Sequence, residues 1–115
     1  MNSQEFVNVV KLVVRDAAVA DVLSILDAPP GRKPNEALVK LSNSYNEMSL
    51  DDKRQIEQIV KMSVETAVFG FLCVLDGVRA IANGSDKGTP SLLYEGVCSV
   101  KLNADSDLHD LFNGD

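Results

Sequence analysis

The chain has no tryptophan, one histidine and two cysteines among its 115 residues. A single histidine excludes any two-His metal set and forces every Ser–His–Asp or Cys–His arrangement through His109. Cys73 and Cys98 lie 25 residues apart, with no Cys-x-x-Cys spacing and no second ligand nearby. Both stand among apolar neighbours, so they are expected as reduced, buried small hydrophobes rather than as a disulfide or redox pair. "MNSQEFVNVV" carries no basic residue ahead of its apolar ones and no small-residue cleavage site, so no signal peptide is expected. Long apolar runs are also missing. The longest, Ala67 to Leu75, has nine residues without a polar side chain, about half of the ~20 that cross a bilayer, so no membrane span is expected.

What is present fits one domain. The composition is 45% hydrophobic and 24% charged, enough to build a core without a metal or disulfide framework. The net charge of −6 is unevenly placed, because Asp105, Asp107, Asp110 and Asp115 fall in the last thirteen residues with no base among them. Such a surface repels nucleic acid and anionic membranes and attracts a basic protein. A reduced, acidic chain of this kind is expected in the cytoplasm.

Periodicity predicts a mainly α fold: a small bundle of four or five helices with a short C-terminal β-hairpin, in a single domain over 1–115. A helical core is expected over 3–82, and the hairpin and a final helical turn over 89–112. Asn2 and Glu5 have the spacing of a capping box, and Asn8, Lys11 and Arg15 leave Phe6, Val9, Val10 and Val13 on an apolar face. Beyond Arg15 the polar stripe changes phase to Asp21, Ser24 and Asp27. Either a second helix starts there, capped by Asp16, or the helix bends; two helices are preferred. "PPGRKP" breaks the pattern. Asn35 caps the next helix, with Leu38, Leu41 and Tyr45 along one side. Ser49 with Asp52 opens the clearest helix, whose Ile56, Ile59, Val60 and Ser63 or Val64 oppose a charged stripe.

"AVFGFLCVLDGVRAI", residues 67–81, admits two readings. A buried helix continuing toward Asn83-Gly84 is preferred, because Glu65 carries no stop signal and Asp76 and Arg79 stand at i, i+3. A hairpin folded at Asp76-Gly77 is the competitor. After the loop "NGSDKGTP", "SLLYEGVCSVKLN" predicts a hairpin turning at Glu95-Gly96, with Cys98, Val100 and Leu102 inward. In "SDLHDLFN", Leu108, Leu111 and Phe112 are placed to pack while the aspartates and His109 face water.

The search for chemistry yields no catalytic, cofactor-binding or metal-ligating set. An EF-hand loop from Asp105 would need glycine where Asp110 stands, and one through "NGSDKG" would put Lys87 at a ligand position. No Gly-rich phosphate loop, nucleophile elbow or zinc spacing occurs. No helix gathers the basic or amide side chains of a DNA-reading helix. An enzyme is therefore not expected. The remaining class is a binding protein: an acidic surface speeds encounter with a basic partner such as a nuclease toxin and competes with nucleic acid for its site. Asp105, Asp107 and Asp110 would make that surface, with Tyr94 and Glu95 at the hairpin turn as aromatic and acidic contacts. The competing reading is that the acidic tail confers only solubility.

The order "AVFGFLCVLDGVRAI", then "LLYEGVCSVKLN", then "LHDLF", over residues 65–112, resembles small bacterial immunity proteins encoded beside toxins. The resemblance implies a role, binding and blocking one cognate toxin, and assigns no particular residues. The rival function is an adaptor or structural protein that self-associates into a homo-oligomer through an apolar face.

Overall fold

The computed structural model describes residues 1–82, 84 and 88–114. Asn83, Ser85, Asp86, Lys87 and Asp115 lie outside the described residues, and with them half of the expected "NGSDKGTP" loop. The architecture is the expected one, helices with a small C-terminal hairpin.

The chain enters α1 (Ser3–Val10) through Asn2, whose side chain accepts the Glu5 backbone N–H at 2.8 Å. This satisfies one of the amide donors that a helix start leaves free. The phase change beyond Arg15 is resolved by neither a new cap nor a simple bend. Lys11–Asp16 forms π-helical turns that run directly into α2 (Ala17–Asp27). A π turn widens the repeat and so rotates the apolar stripe without breaking the rod. Asp16 has helical backbone angles and caps nothing, which corrects the expectation of two separate helices.

Pro29 and Pro30 end this rod, and Asn35 then caps α3 (Glu36–Asn46) by accepting from Ala37 N–H at 2.8 Å. α3 packs on α2. Asn46 Nδ2 donates to the Asp27 carbonyl at 3.0 Å, supplying a partner to a carbonyl that the helix end leaves free. Tyr45 is buried and reaches toward α4 (Leu50–Leu75), with its hydroxyl 3.4 Å from Glu57 Oε1.

α4 starts as expected, with Ser49 Oγ accepting from Asp52 N–H at 3.2 Å and acids in its first turn. Its end bears out the buried helix as far as Leu75, with Gly70, Leu72 and Cys73 buried, and corrects its continuation toward Asn83 as well as the hairpin reading. The helix stops at Leu75, and Gly77 takes φ +77°. Val78 N–H donates to the Cys73 carbonyl at 2.9 Å and Gly77 N–H to the Val74 carbonyl at 3.1 Å. This pair of bonds is the Schellman stop, which needs a left-handed residue that only glycine adopts without strain. Gly77 is thus neither a helix-interior residue nor a hairpin corner, and Arg79 does not continue the helix. The full length of α4 also changes the membrane argument. The helix has 26 residues and an 18-residue window of mean hydropathy 1.5. By length and composition alone it is long and apolar enough to cross a bilayer.

After α4, β1 (Leu93–Glu95) pairs antiparallel with β2 (Ser99–Lys101), Tyr94 opposite Val100, and α5 (Leu108–Asn113) closes the fold. The core sits at the C-terminal half of α4, where Leu72 meets Val7 of α1 and Leu108 and Phe112 of α5. Leu102 is buried as expected, while Val100 is half-buried and Cys98 is exposed, so the inward alternation holds only at the base of the hairpin. On α1 the buried residue is Val7, whereas Val9 and Val13 of the expected face are exposed. Leu41 and Ile59 are exposed as well.

Replacing Gly77 by alanine forces a β-carbon into left-handed backbone and against Thr89 Cγ2 at 3.4 Å. This change should cost about 1–2 kcal/mol in urea unfolding. Gly88→Ala, where nothing lies within 4 Å of an added β-carbon and φ is not left-handed, should be near neutral. Equal effects of the two substitutions would contradict the helix-stop assignment.

Candidate functional site

The polar centre of the molecule forms where α4 ends and α5 begins. The Schellman turn leaves Asp76 as the residue that caps the end of α4, its side chain fully buried. Its Oδ2 accepts two bonds from one residue, the His109 backbone N–H at 2.8 Å and His109 Nδ1 at 2.6 Å. Asp76 therefore serves the first turn of α5 in the way a cap would, from a distant part of the chain. Asp107, the residue in the cap position, makes no capping bond with its own side chain. The imidazole is held from a second side by Phe69, whose ring meets it edge-on at a centroid distance of 5.7 Å.

The histidine was expected on the surface. Only 13% of its side chain is exposed, because the Asp76 carboxylate draws the ring inward. The Asp76 hydrogen bond raises the His109 pKa above 6.5; burial opposes it, and the negative charges of Asp110, Asp76 and Asp107 add to it. Nε2 points toward the exposed Asp110, 3.4 Å away. The other oxygen of Asp76, Oδ1, is buried and has no hydrogen-bond partner among the described residues.

Asp76, Asp107 and His109 bring donor atoms within 4.8 Å of one another, a grouping that could hold a divalent cation. The 2.6 Å Nδ1–Oδ2 contact is hydrogen-bond geometry. A metal bound to both atoms, at about 2.0–2.2 Å from each, would hold them farther apart. The arrangement as it stands is a hydrogen-bonded carboxylate–imidazole pair that joins the end of α4 to the start of α5. Among the described residues no hydroxyl or thiol is hydrogen-bonded to His109, so the pair activates no nucleophile in this geometry.

Phe69 also lines an open cleft of about 700 Å³, together with Lys11, Arg15 and Glu65. Its cations are already engaged. Lys11 Nζ donates to the Gly114 carbonyl at 2.9 Å, and Arg15 pairs with Asp16 while its guanidinium stands 5.9 Å from the centre of the Phe112 ring. These contacts tie α5 to the first helical rod.

The residues predicted as partner contacts all lie exposed in the C-terminal module. Asp105, Asp107 and Asp110 flank or belong to α5, and Tyr94 and Glu95 lie on β1. Asp107 and Asp110 gather around His109, while Tyr94 and Glu95 belong to the hairpin. Asn103 fastens that hairpin to the helical body. Its side chain donates to the carbonyls of Leu75 at 2.7 Å and Pro90 at 3.1 Å and accepts from Leu92 N–H at 3.0 Å. Asp76 and Asn103 were not singled out from the sequence as site residues. Asp76 had a signal, the Asp-Gly pair, whereas Asn103 had none, since its partners are carbonyls far along the chain.

A histidine whose folded pKa is raised contributes stability that is full below 6.5, its unfolded value, and is lost as pH rises through the folded value. The urea midpoint should accordingly fall as pH is raised above 6.5. His109→Ala should abolish that slope and cost about 3 kcal/mol, because it strips a partner from a buried carboxylate. A flat midpoint across this range in the unmutated protein would show that the pair contributes nothing. Compared with known proteins, the chain matches no family model, no curated protein and no solved structure.

Proposed function

We propose that the chain is a non-enzymatic protein-binding protein of the immunity type, which neutralises a basic toxin or nuclease through the acidic surface of its C-terminal module. The observation that carries this reading is the set of side chains the module exposes. Asp105, Asp107 and Asp110 are all exposed, and the hairpin presents Tyr94, 45% exposed, and Val97, wholly exposed at its tip. Aromatic and apolar anchors with charged neighbours are the usual parts of a protein-binding surface. The module is also held in place before any partner arrives, by Asn103 at the hairpin base and by Asp76 at α5. Prior ordering lowers the entropic cost of association. Reduced Cys73 and Cys98 suit work in the cytoplasm.

The test uses the triple variant Asp105→Asn, Asp107→Asn, Asp110→Asn and, as partner, the product of the neighbouring gene, with circular dichroism as the check on folding. Association should slow about tenfold or more at low salt and much less at high salt, because screening removes the steering field. Unchanged association at low salt would rule out the acidic surface as the binding determinant.

A further inference from the structure

The fold leaves many large apolar side chains outside its core. The accessible surface is 8083 Å² for a 12.4 kDa chain, against about 6,100 Å² for a compact monomer of that mass. The radius of gyration is 18.3 Å, where a compact chain of this length has about 13 Å. The excess is roughly 2,000 Å² per chain, or about 4,000 Å² for a pair, within the range that obligate homodimers bury.

The exposed side chains are large and apolar, and they fall at helical spacing. Val9, Leu12 and Val13 follow one another along the first rod, with Leu12 66% exposed. Ile59 and Met62 lie one turn apart on α4, and Phe71 is exposed farther along. Only 22% of the most apolar 18-residue window of α4 is buried. A core helix of a self-sufficient domain buries its apolar positions.

We propose that two copies of this chain associate through the apolar faces of the first helical rod, at Val9, Leu12 and Val13, and of α4, at Ile59 and Met62. A second copy is the occupant that the area fits, since each chain's excess is what one subunit of an obligate dimer gives up. A lipid surface fits less well. The chain carries a net charge of −6, which anionic leaflets repel, and the apolar end of α4 leads straight into the buried Asp76–His109 pair. The inference is independent of the toxin-binding reading, because it uses none of the aspartates of the C-terminal module.

Sedimentation equilibrium of the full chain at micromolar concentration should give twice the 12.4 kDa chain mass. Leu12→Glu and Met62→Glu, at positions already exposed in the single chain, should each raise the dimer dissociation constant about 30-fold or more while leaving the helical circular dichroism of the resulting monomer in place. A monomeric mass for the unmutated protein at all concentrations would overturn the proposal. So would a dimer that both substitutions leave intact, or partition of the protein onto phosphatidylcholine vesicles in place of dimer formation.

Discussion

One buried carboxylate organises the C-terminal half of this molecule. α4 must end abruptly for the chain to fold back over it, and the left-handed Gly77 provides the stop. The same turn leaves Asp76 inside the protein, where a lone charge is expensive. Its cost is offset by His109, which donates through both backbone and ring. The position of α5 follows from that demand, and Leu108 and Phe112 are carried onto Leu72 and Val7 as a result. Hydrogen bonding and packing therefore depend on one another: the apolar core closes over the Asp76–His109 pair, and the pair sets the register of the last helix.

The core built this way is small and lies toward one end. Four buried side chains from three helices form its cluster, with partly buried neighbours around them. No residue of α2, α3 or the N-terminal half of α4 belongs to that cluster, and the principal extents reach 50 × 35 × 30 Å. An elongated body with exposed Leu12, Leu50, Ile59 and Met62 gains little burial from its own folding in that region. In the proposed dimer a second copy would cover that surface, and the C-terminal module, held by its own polar fastenings, would lie outside the contact.

Local signals in the sequence marked local structure well. Asn2, Asn35 and Ser49 cap the helices they were expected to cap, because capping involves only a residue and its near neighbours. The phase slip after Arg15 was visible too, but polar periodicity alone does not distinguish a break from a π turn. Asp76-Gly77 was ambiguous for a related reason: glycine at positive φ serves hairpin corners and helix stops alike. What decides is the pair of bonds back to Cys73 and Val74. The expected faces failed where the fold is open. Val9, Val13 and Ile59 have the spacing of core residues and are nonetheless exposed in the single chain. Cys98 followed the alternation of an inward strand but stands at the open end of a three-residue ribbon. His109 looked like a surface residue because its neighbours are aspartates, and the carboxylate that draws it inward comes from 33 positions earlier.

The central claim is that the hydrogen bond from Asp76 raises the pKa of His109 at the junction of α4 and α5. As the chain has a single histidine, its ring protons give one unambiguous signal in a proton NMR titration of the folded protein. The account predicts a midpoint above the ordinary histidine value of 6.5, returning toward that value in Asp76→Asn. A midpoint at or below 6.5 in the unmutated protein would contradict it.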